Sequence, residues 1–526
     1  ELKGLAKYPV TLCSTISLSP VALKATTGVP QDWASLAVRP NDSILEDTAS
    51  KSTAEYKIDN FSSSYILPIY SPIIPSAISW IPEKKVIVIG AGLVGSLCAI
   101  HLIKKGYSVQ LFERRKDLRT QKITAGKSIN LALSKRGWTS LEQADIHELV
   151  KKIAIPMYRR VMHDSKGNLT FQQYGESDQA IFSVSRVELN LLMLNLAEKY
   201  GAEIHFNSKC VDVDFNNTKA TFLQVDQEKT YKADFIVGAD GTFSNVRAKM
   251  VEKLGHMYNY NKIEYDYKEL LIPSGPNNSY LIEKEALHIW PRGNFMVIAL
   301  ANLDGSFTCT LFAAKHGKDS FENLNTKKET IHYFNKHFPD FAELVPNLYE
   351  QWQANPTSEL GIVKTYPWNK KNVLLIGDSA HATVPFYGQG MNAGFEDCRI
   401  LSDMLDIYKE NYEKCFDQFS IDRKPEGDGL QDLSLHNFIV MRDKTADPDF
   451  LLQKKIEQKV SKLHPEKWLP LYSMVSFSNI KYSTAWEVGK KQEQIMAKIM
   501  KLPQIEKKWN DDFVIDMILK EIWVIF

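Results

Sequence analysis

Gly90, Gly92 and Gly95 stand at G-x-G-x-x-G spacing directly behind the apolar run Val86-Ile87-Val88-Ile89, and their chemistry is that of a backbone bared to an anion. Gly90 permits a tight turn, Gly92 lets the main chain approach a pyrophosphate, and Gly95 lets the next helix pack closely on the strand. The N-terminal N–H groups and dipole of that helix favour negative charge. A second apolar run, Ser108-Val109-Gln110-Leu111-Phe112, ends at Glu113, placed to accept hydrogen bonds from ribose hydroxyls. Dinucleotide binding follows. The fingerprint alone fits NAD or FAD, and the acid at Glu113 disfavours a 2'-phosphate there.

Two later segments extend the pattern. Asp234-Phe235-Ile236-Val237-Gly238-Ala239-Asp240-Gly241 reads as a buried strand opening into an Asp-Gly turn, and Val373-Leu374-Leu375-Ile376-Gly377-Asp378-Ser379-Ala380-His381 repeats that logic. Each is compatible with turn chemistry alone. Behind the second lies Pro385-Phe386-Tyr387-Gly388-Gln389-Gly390-Met391-Asn392-Ala393-Gly394, whose glycines let a long planar ligand end against backbone at the start of a helix predicted over 392–404. His381 invites a catalytic reading, but its place in the Gly-Asp turn suits a structural hydrogen bond equally well, and no base is assigned to it.

The elements that must hold these residues are legible in the same way. Strand, glycine turn and a helix over 97–105 make the first unit. Residues 295–300 and 306–312, joined by Ala301-Asn302-Leu303-Asp304-Gly305, read as a β-hairpin with an Asp-Gly turn. At roughly 150 residues per domain, the chain of 526 has room for about three or four units. With 64 basic and 63 acidic side chains the net charge is +1, which excludes a strongly basic nucleic-acid binder. The composition, 44% hydrophobic and 24% charged, is that of an ordinary globular protein. Cys13, Cys98, Cys210, Cys309, Cys398 and Cys415 are scattered without a C-x-x-C pair, which points to a reducing compartment and no structural zinc.

The two ends read differently. Residues 1–83 are rich in Ser, Thr and Pro and start at Glu1, like a fragment, processed end or gene-model extension; poor order is expected. Glu1, Asp32, Asp42, Glu46 and Asp47 argue against a transit peptide. The apolar stretch 65–82 carries Pro68, Pro72, Pro75 and Pro82, which favours extended packing over a spanning helix. At the C-terminus, 513–526 is too short and, with Asp516, Lys520 and Glu521, too charged to span a membrane. A helix packed on the body, an interfacial helix and the start of an anchor all remain compatible with it.

Taken in order, the glycine fingerprint, Asp-Gly and Gly-Asp resemble the single-component FAD-dependent aromatic hydroxylases. Four segments sharpen this to a resemblance to the kynurenine 3-monooxygenase family: Lys127-Ser128-Ile129-Asn130-Leu131-Ala132-Leu133-Ser134, Ser183-Val184-Ser185-Arg186, Leu287-His288-Ile289-Trp290-Pro291-Arg292, and Phe386-Tyr387-Gly388-Gln389-Gly390-Met391-Asn392-Ala393-Gly394-Phe395-Glu396-Asp397-Cys398. The resemblance runs from residue 84 to about residue 490. It implies an α/β fold: a Rossmann-like FAD-binding domain from 84–155, 183–250 and 355–405, an inserted antiparallel-sheet substrate domain from 156–182 and 251–354, and a helical C-terminal region over 406–526. Lys127 stands where the family commonly has an arginine.

The resemblance also implies roles. Gly90, Gly92, Gly95, Glu113, Arg186, Asp240, Asp378 and Gly390 would bind FAD, with Glu113 at the ribose, Arg186 at the flavin chain and Asp378 at its sugar-alcohol portion; Met391 and Asn392 would face the flavin ring. Arg160, which spacing alone reads as half of a solvent-facing Arg159-Arg160 pair, would bind the substrate carboxylate through its planar fork. Tyr174 and Asn437 would assist, Tyr472 would close the far side, Ile298, Leu300 and Phe312 would form an apolar wall, and Pro385 and Phe386 would begin a loop over the flavin. NADPH, without a glycine fingerprint of its own, would reduce FAD in a transient groove encounter. With O2, a flavin C4a-hydroperoxide would then convert L-kynurenine to 3-hydroxykynurenine, shielded from bulk water. The same scaffold also serves oxidoreductases that insert no oxygen and non-catalytic binding modules. A mitochondrial outer-membrane or cytoplasmic setting is carried by the resemblance alone.

Overall fold

The computed structural model describes residues 84–120, 130–174, 178–441 and 447–523; the N-terminal extension and Lys127 lie outside the described residues. Val86, Ile87, Val88 and Ile89 are apolar on both faces of their strand, as a central parallel strand requires, and all four are buried. The strand Lys85–Ile89 sits third from one end of a six-stranded sheet. In order across that sheet lie Asn369–Lys370, Val373–Leu375, Phe235–Gly238, Lys85–Ile89, Ser108–Phe112 and Glu203–His205. All its pairings are parallel except that of Asn369–Lys370 with its neighbour. Helix Leu93–Lys104, leaving the glycine turn, packs against helices Arg186–Tyr200 and Gly390–Tyr408.

A seven-stranded sheet runs Thr357–Tyr366, Met257–Ile272, Phe307–Ala314, Met296–Ala301, Ala286–Pro291, Arg159–His163, Leu169–Gln173. It is antiparallel except where Ala286–Pro291 and Arg159–His163 run parallel, Leu287 opposite Arg160. The expected hairpin is Met296–Ala301 and Phe307–Ala314, closed by Asn302 N–H donating to Ser306 O at 2.8 Å. Its Gly305 has φ +87°, and a Cβ there would fall 2.2 Å from Asn278 O, so the turn needs glycine. Period-two alternation sorts the hairpin side chains. Val297, Ala299, Phe307, Cys309 and Leu311 enter a core with Phe334, Phe338, Phe341 and Trp352, leaving Met296, Ile298 and Phe312 on the opposite face.

Helices Tyr412–Ile439, Pro448–Leu463, Leu471–Ser476, Tyr482–Ile499 and Asp512–Trp523 form the C-terminal region. Of the readings left open for the C-terminus, packing on the body is what the described residues display. Val514, Ile515 and Ile518 are buried with Ile456, Val460, Ile495 and Ile499. Among the described residues no helix is long and apolar enough to cross a membrane.

Candidate active site

One cavity of about 730 Å³ extends from the glycine turn of the six-stranded sheet to the inner face of the seven-stranded one. Gly90, Gly92, Glu113, Arg186, Asp240, Asp378, Gly390 and Met391 line it from the first; Arg160, Ile298, Leu300 and Phe312 line it from the second. Pro385, Phe386, Asn437 and Tyr472 complete the wall from the loop and the C-terminal helices.

At the turn, the three glycines do different work. A Cβ on Gly90, at φ +105°, would lie 2.4 Å from Ala239 O, and one on Gly95 would lie 1.8 Å from Gly90 O. Both contacts are internal, and Gly95 touches the lining only through the turn it permits. A Cβ on Gly92 would meet nothing within 4 Å: it would project into open space, the signature of a backbone kept bare for a ligand. Glu113 accepts from Ala91 N–H at 3.1 Å and from Arg115 N–H and Nε at 3.0 and 2.8 Å. Burial raises its pKa, but the Arg115 hydrogen bonds and charge outweigh this and hold it below the ordinary value, so a carboxylate faces the cavity. Arg186 opens its helix at the cavity wall, the preceding Ser185 hydroxyl accepting from Glu188 N–H.

Two residues expected at the cofactor have side chains that are partly or wholly engaged by backbone. Asn392 does not line the cavity: its Oδ1 accepts from Ser134 N–H at 2.9 Å while its Nδ2 donates to Ala132 O and Gly388 O at 2.8 and 2.9 Å. Both side-chain donors of Asn392 are thus taken by backbone carbonyls, so this amide braces the wall. Asp240 does line the cavity, but its Oδ2 accepts from Asn245 N–H at 2.7 Å and Val246 N–H at 3.3 Å, at the start of helix Asn245–Leu254. Only its Oδ1, buried and without a partner among the described residues, is left to a ligand.

The far end is aromatic around one cation. The Arg160 guanidinium lies 4.5 Å from the Tyr472 ring centre and 5.1 Å from that of Tyr174. The phenols of Tyr472, Tyr174 and Tyr387 are electrostatic neighbours, no carboxylate pairs with it among the described residues, and its Nε has no hydrogen-bond partner. Burial keeps the Tyr174 phenol protonated, well above its ordinary range, so it supplies no negative charge, and its hydroxyl is also unpartnered among the described residues. A guanidinium stays charged at any accessible pH. Arg160 is half-buried, open only where it lines the cavity, and a partly desolvated cation without an anion is a site that an anionic ligand would satisfy. Tyr472 stacks on Tyr174 at 5.2 Å and on Tyr387 at 5.7 Å. Asn437 Nδ2 donates to Phe386 O at 2.7 Å, and the Phe386 ring rests against Phe312 and Phe438. The loop Pro385–Tyr387 is thereby fixed over the apolar hairpin face.

Sequence reading missed Tyr267 and Met296 in this wall, because aromatic and apolar residues at strand spacing carry no signal of a cavity. It also missed the charged cluster behind the wall. Arg136 and Arg423 donate to Glu396, each at 2.9 Å. Arg423 also donates to Asp397 at 2.8 Å, and Asp397 accepts from Gly377 N–H and pairs with His381 at 2.9 and 2.6 Å. His381 thus makes a structural hydrogen bond, and Gly377, at φ +58°, is held in the turn that presents Asp378. Adjacent acids on the buried face of helix Gly390–Tyr408 were the available signal.

The family model described as "FAD binding domain" matches residues 83–434. A kynurenine 3-monooxygenase of Christiangramia forsetii is 46% identical over 440 residues, covering 83% of this chain and 98% of that protein. One from Myxococcus xanthus is 40% identical over 430 residues, covering 81% and 92%. Among solved structures, a tetrameric 2-methyl-3-hydroxypyridine-5-carboxylic acid oxygenase aligns with TM-score 0.58 and 20% identity over 70% of this chain and 95% of that one. The tetracycline destructase Tet(55) aligns at 0.54 and 16%, covering 71% and 94%. At such identities the structural likeness speaks for the fold alone.

Proposed function

The chain belongs to the kynurenine 3-monooxygenase family of FAD-dependent hydroxylases, and from that premise we propose that its cavity converts L-kynurenine to 3-hydroxykynurenine with NADPH and O2 as co-substrates. When bound, FAD would supply the redox chemistry the side chains lack: acceptance of hydride from NADPH and activation of O2 for ring hydroxylation. The bare backbone at Gly92, the Glu113 carboxylate, Arg186 and the free Oδ1 of Asp240 suit its pyrophosphate, ribose and chain, while Asp378, Gly390 and Met391 flank the part nearer the hairpin.

The chain's own work is to bind, orient and keep dry. Arg160 takes the amino acid's carboxylate in a two-bond fork beside the Tyr174 ring, while Asn437, whose amide N–H groups go to Phe386 O and Met441 Sδ, lines the same cavity with its acceptor oxygen, unpartnered among the described residues, free for a donor. Tyr472 shuts the far side. The aromatic ring of the substrate then lies against Ile298, Leu300 and Phe312, under the loop held by Asn437. That apolar lining excludes bulk water from the reacting centre, where leakage would release hydrogen peroxide in place of product. The observation that carries the reading is the half-buried Arg160, without an ion-pair partner among the described residues, at the end of a cavity that begins at the glycine turn.

The test is NADPH oxidation with and without L-kynurenine under 18O2, with product analysed by mass. Kynurenine-stimulated turnover and one 18O atom per product support the hydroxylase. Stimulated turnover without labelled product would make the chain a non-inserting oxidoreductase, and a colourless preparation that refuses FAD would make it a binding module. Peripheral membrane association would fall to the outward Phe513 and Met517 of helix Asp512–Trp523, which vesicle co-sedimentation checks. The relatives are bacterial and lend no support to a mitochondrial setting.

A further inference from the structure

The segment Leu287-His288-Ile289-Trp290-Pro291-Arg292 contributes little to the cavity beyond Leu287, yet its polar side chains converge behind the strand that carries Arg160. Arg160 and Met162 face the cavity side of strand Arg159–His163, so Val161 and His163 face the opposite side. There His163 Nδ1 lies 2.9 Å from Asp340 Oδ2, and His163 Nε2 lies 2.9 Å from His288 Nδ1. His288 Nε2 lies 2.8 Å from Glu283 O, and Trp290 Nε1 donates to Asp340 Oδ2 at 2.7 Å. The Trp290 ring stacks on His163 at 4.0 Å. Arg292 closes the end of the strand, donating to His163 O at 2.8 Å and Asp164 O at 2.9 Å.

Proton counting along this chain has one self-consistent answer. The Glu283 carbonyl only accepts, so His288 Nε2 carries hydrogen. Burial pushes His288 down to about 4 and keeps it neutral, so its Nδ1 is a lone pair that accepts from His163 Nε2–H. Burial raises the Asp340 pKa, but its hydrogen bonds from His163 and Trp290 bring it below the ordinary value, so its oxygen also accepts. His163 must then donate from both nitrogens.

We propose that His163 is an imidazolium locked between Asp340 and His288, and that this buried relay is a positioning device that holds strand Arg159–His163, and with it Arg160, against strand Ala286–Pro291. His163 and His288 are positioning residues; neither reaches the cavity. The other charged groups around the pair are accounted for. The Arg292 guanidinium is engaged by backbone carbonyls, including that of His337, whose ring bonds Asp319. The Asp164 carboxylate accepts from Lys166 and Asn168 N–H, and that of Glu283 is taken by Arg159. Asp340 Oδ1 has no other partner among the described residues, so Asp340 is the one anion opposite His163.

This inference rests on the assignment of Arg160 as the carboxylate clamp, and the experiment separates the two. In the FAD-loaded protein labelled with 15N-histidine, NMR near neutral pH should give one ring with both nitrogens protonated, absent from the spectrum of His163→Gln. A neutral tautomer at His163 overturns the proposal whether or not the variant folds. Kinetically, His163→Gln and Asp340→Asn should each raise the kynurenine KM about 10- to 100-fold, with kcat and FAD content within about twofold of wild type. A folded His163→Gln with unchanged KM, or one losing FAD and kcat in equal measure, refutes positioning. Wild type lacking kynurenine-stimulated turnover would instead refute the functional assignment and leave the protonation state of His163 standing on its own.

Discussion

Replacing Arg160 with methionine tests the functional assignment at its physical root. Methionine keeps an unbranched apolar stem against Tyr174 and Tyr472 while removing the charge and the fork. In the complex, the guanidinium and the carboxylate of the ligand are buried together, and removing one partner of such a pair costs about 2–5 kcal/mol. Kynurenine affinity should therefore fall by roughly 30-fold to several thousand-fold. The ligand-free protein behaves differently. There Arg160 is a half-buried cation resting on the Tyr174 and Tyr472 rings with no ion pair among the described residues, so its replacement breaks no ion pair and the variant should melt close to wild type. The assay is a kynurenine titration followed by flavin absorbance, paired with thermal melts with and without ligand. Kynurenine should raise the wild-type Tm by linkage and leave that of the variant unmoved at the same concentration, with equal FAD content in both. Unchanged affinity would refute the clamp. A ligand-free melting point depressed as far as by a core truncation would show that Arg160 serves the fold and not a ligand.

Other substitutions separate the parts of the cavity. Gly92→Val should keep the far-ultraviolet circular dichroism of wild type but purify without yellow colour, since its side chain enters cofactor space, whereas Gly95→Ala should lower folding stability by about 1–3 kcal/mol or more because its Cβ strikes the Gly90 carbonyl. Asn437→Leu frees the Phe386 carbonyl, and a larger share of consumed NADPH should then appear as hydrogen peroxide in a peroxidase-coupled assay. Burial raises the Asp397 pKa, yet His381 and Arg423 bring it from the ordinary 3.8 down to about 2. Its stabilising contribution is thus fully present above about pH 4 and lost as pH falls toward 2. The stability gap between wild type and Asp397→Asn, about 3–5 kcal/mol near neutral pH by urea unfolding, should narrow over that interval.

The glycine turn, Glu113 and the hairpin are legible because each rests on local chemistry: a bared backbone, a strand end, an Asp-Gly reversal at period two. Arg160 is half-legible. Neighbouring residues on a strand point to opposite faces, so Arg159 and Arg160 cannot both be on the same side; Arg159 turns to Glu283 and Arg160 to the cavity. Tyr472 and the Arg136–Glu396–Arg423 cluster are hidden from such reasoning, since their partners lie far away along the chain and only tertiary packing joins them. Asn392 and Asp240 show the converse limit. Their residue types suit a ligand, but nearby backbone engages the Asn392 amide and one of the two Asp240 oxygens, which only the folded chain reveals.

The aromatic ladder Tyr174–Tyr472–Tyr387 is assembled from three widely separated stretches of chain, and this sets an order of events during synthesis. Contacts of such long sequence separation close late in folding. The glycine turn, Glu113, Arg160 and the hairpin all leave the ribosome before the helix bearing Tyr472 exists. A nascent chain therefore has the means to grip its cofactor while the substrate chamber still lacks its far wall. Tyr472, the last of the cavity-lining residues along the chain, completes the wall.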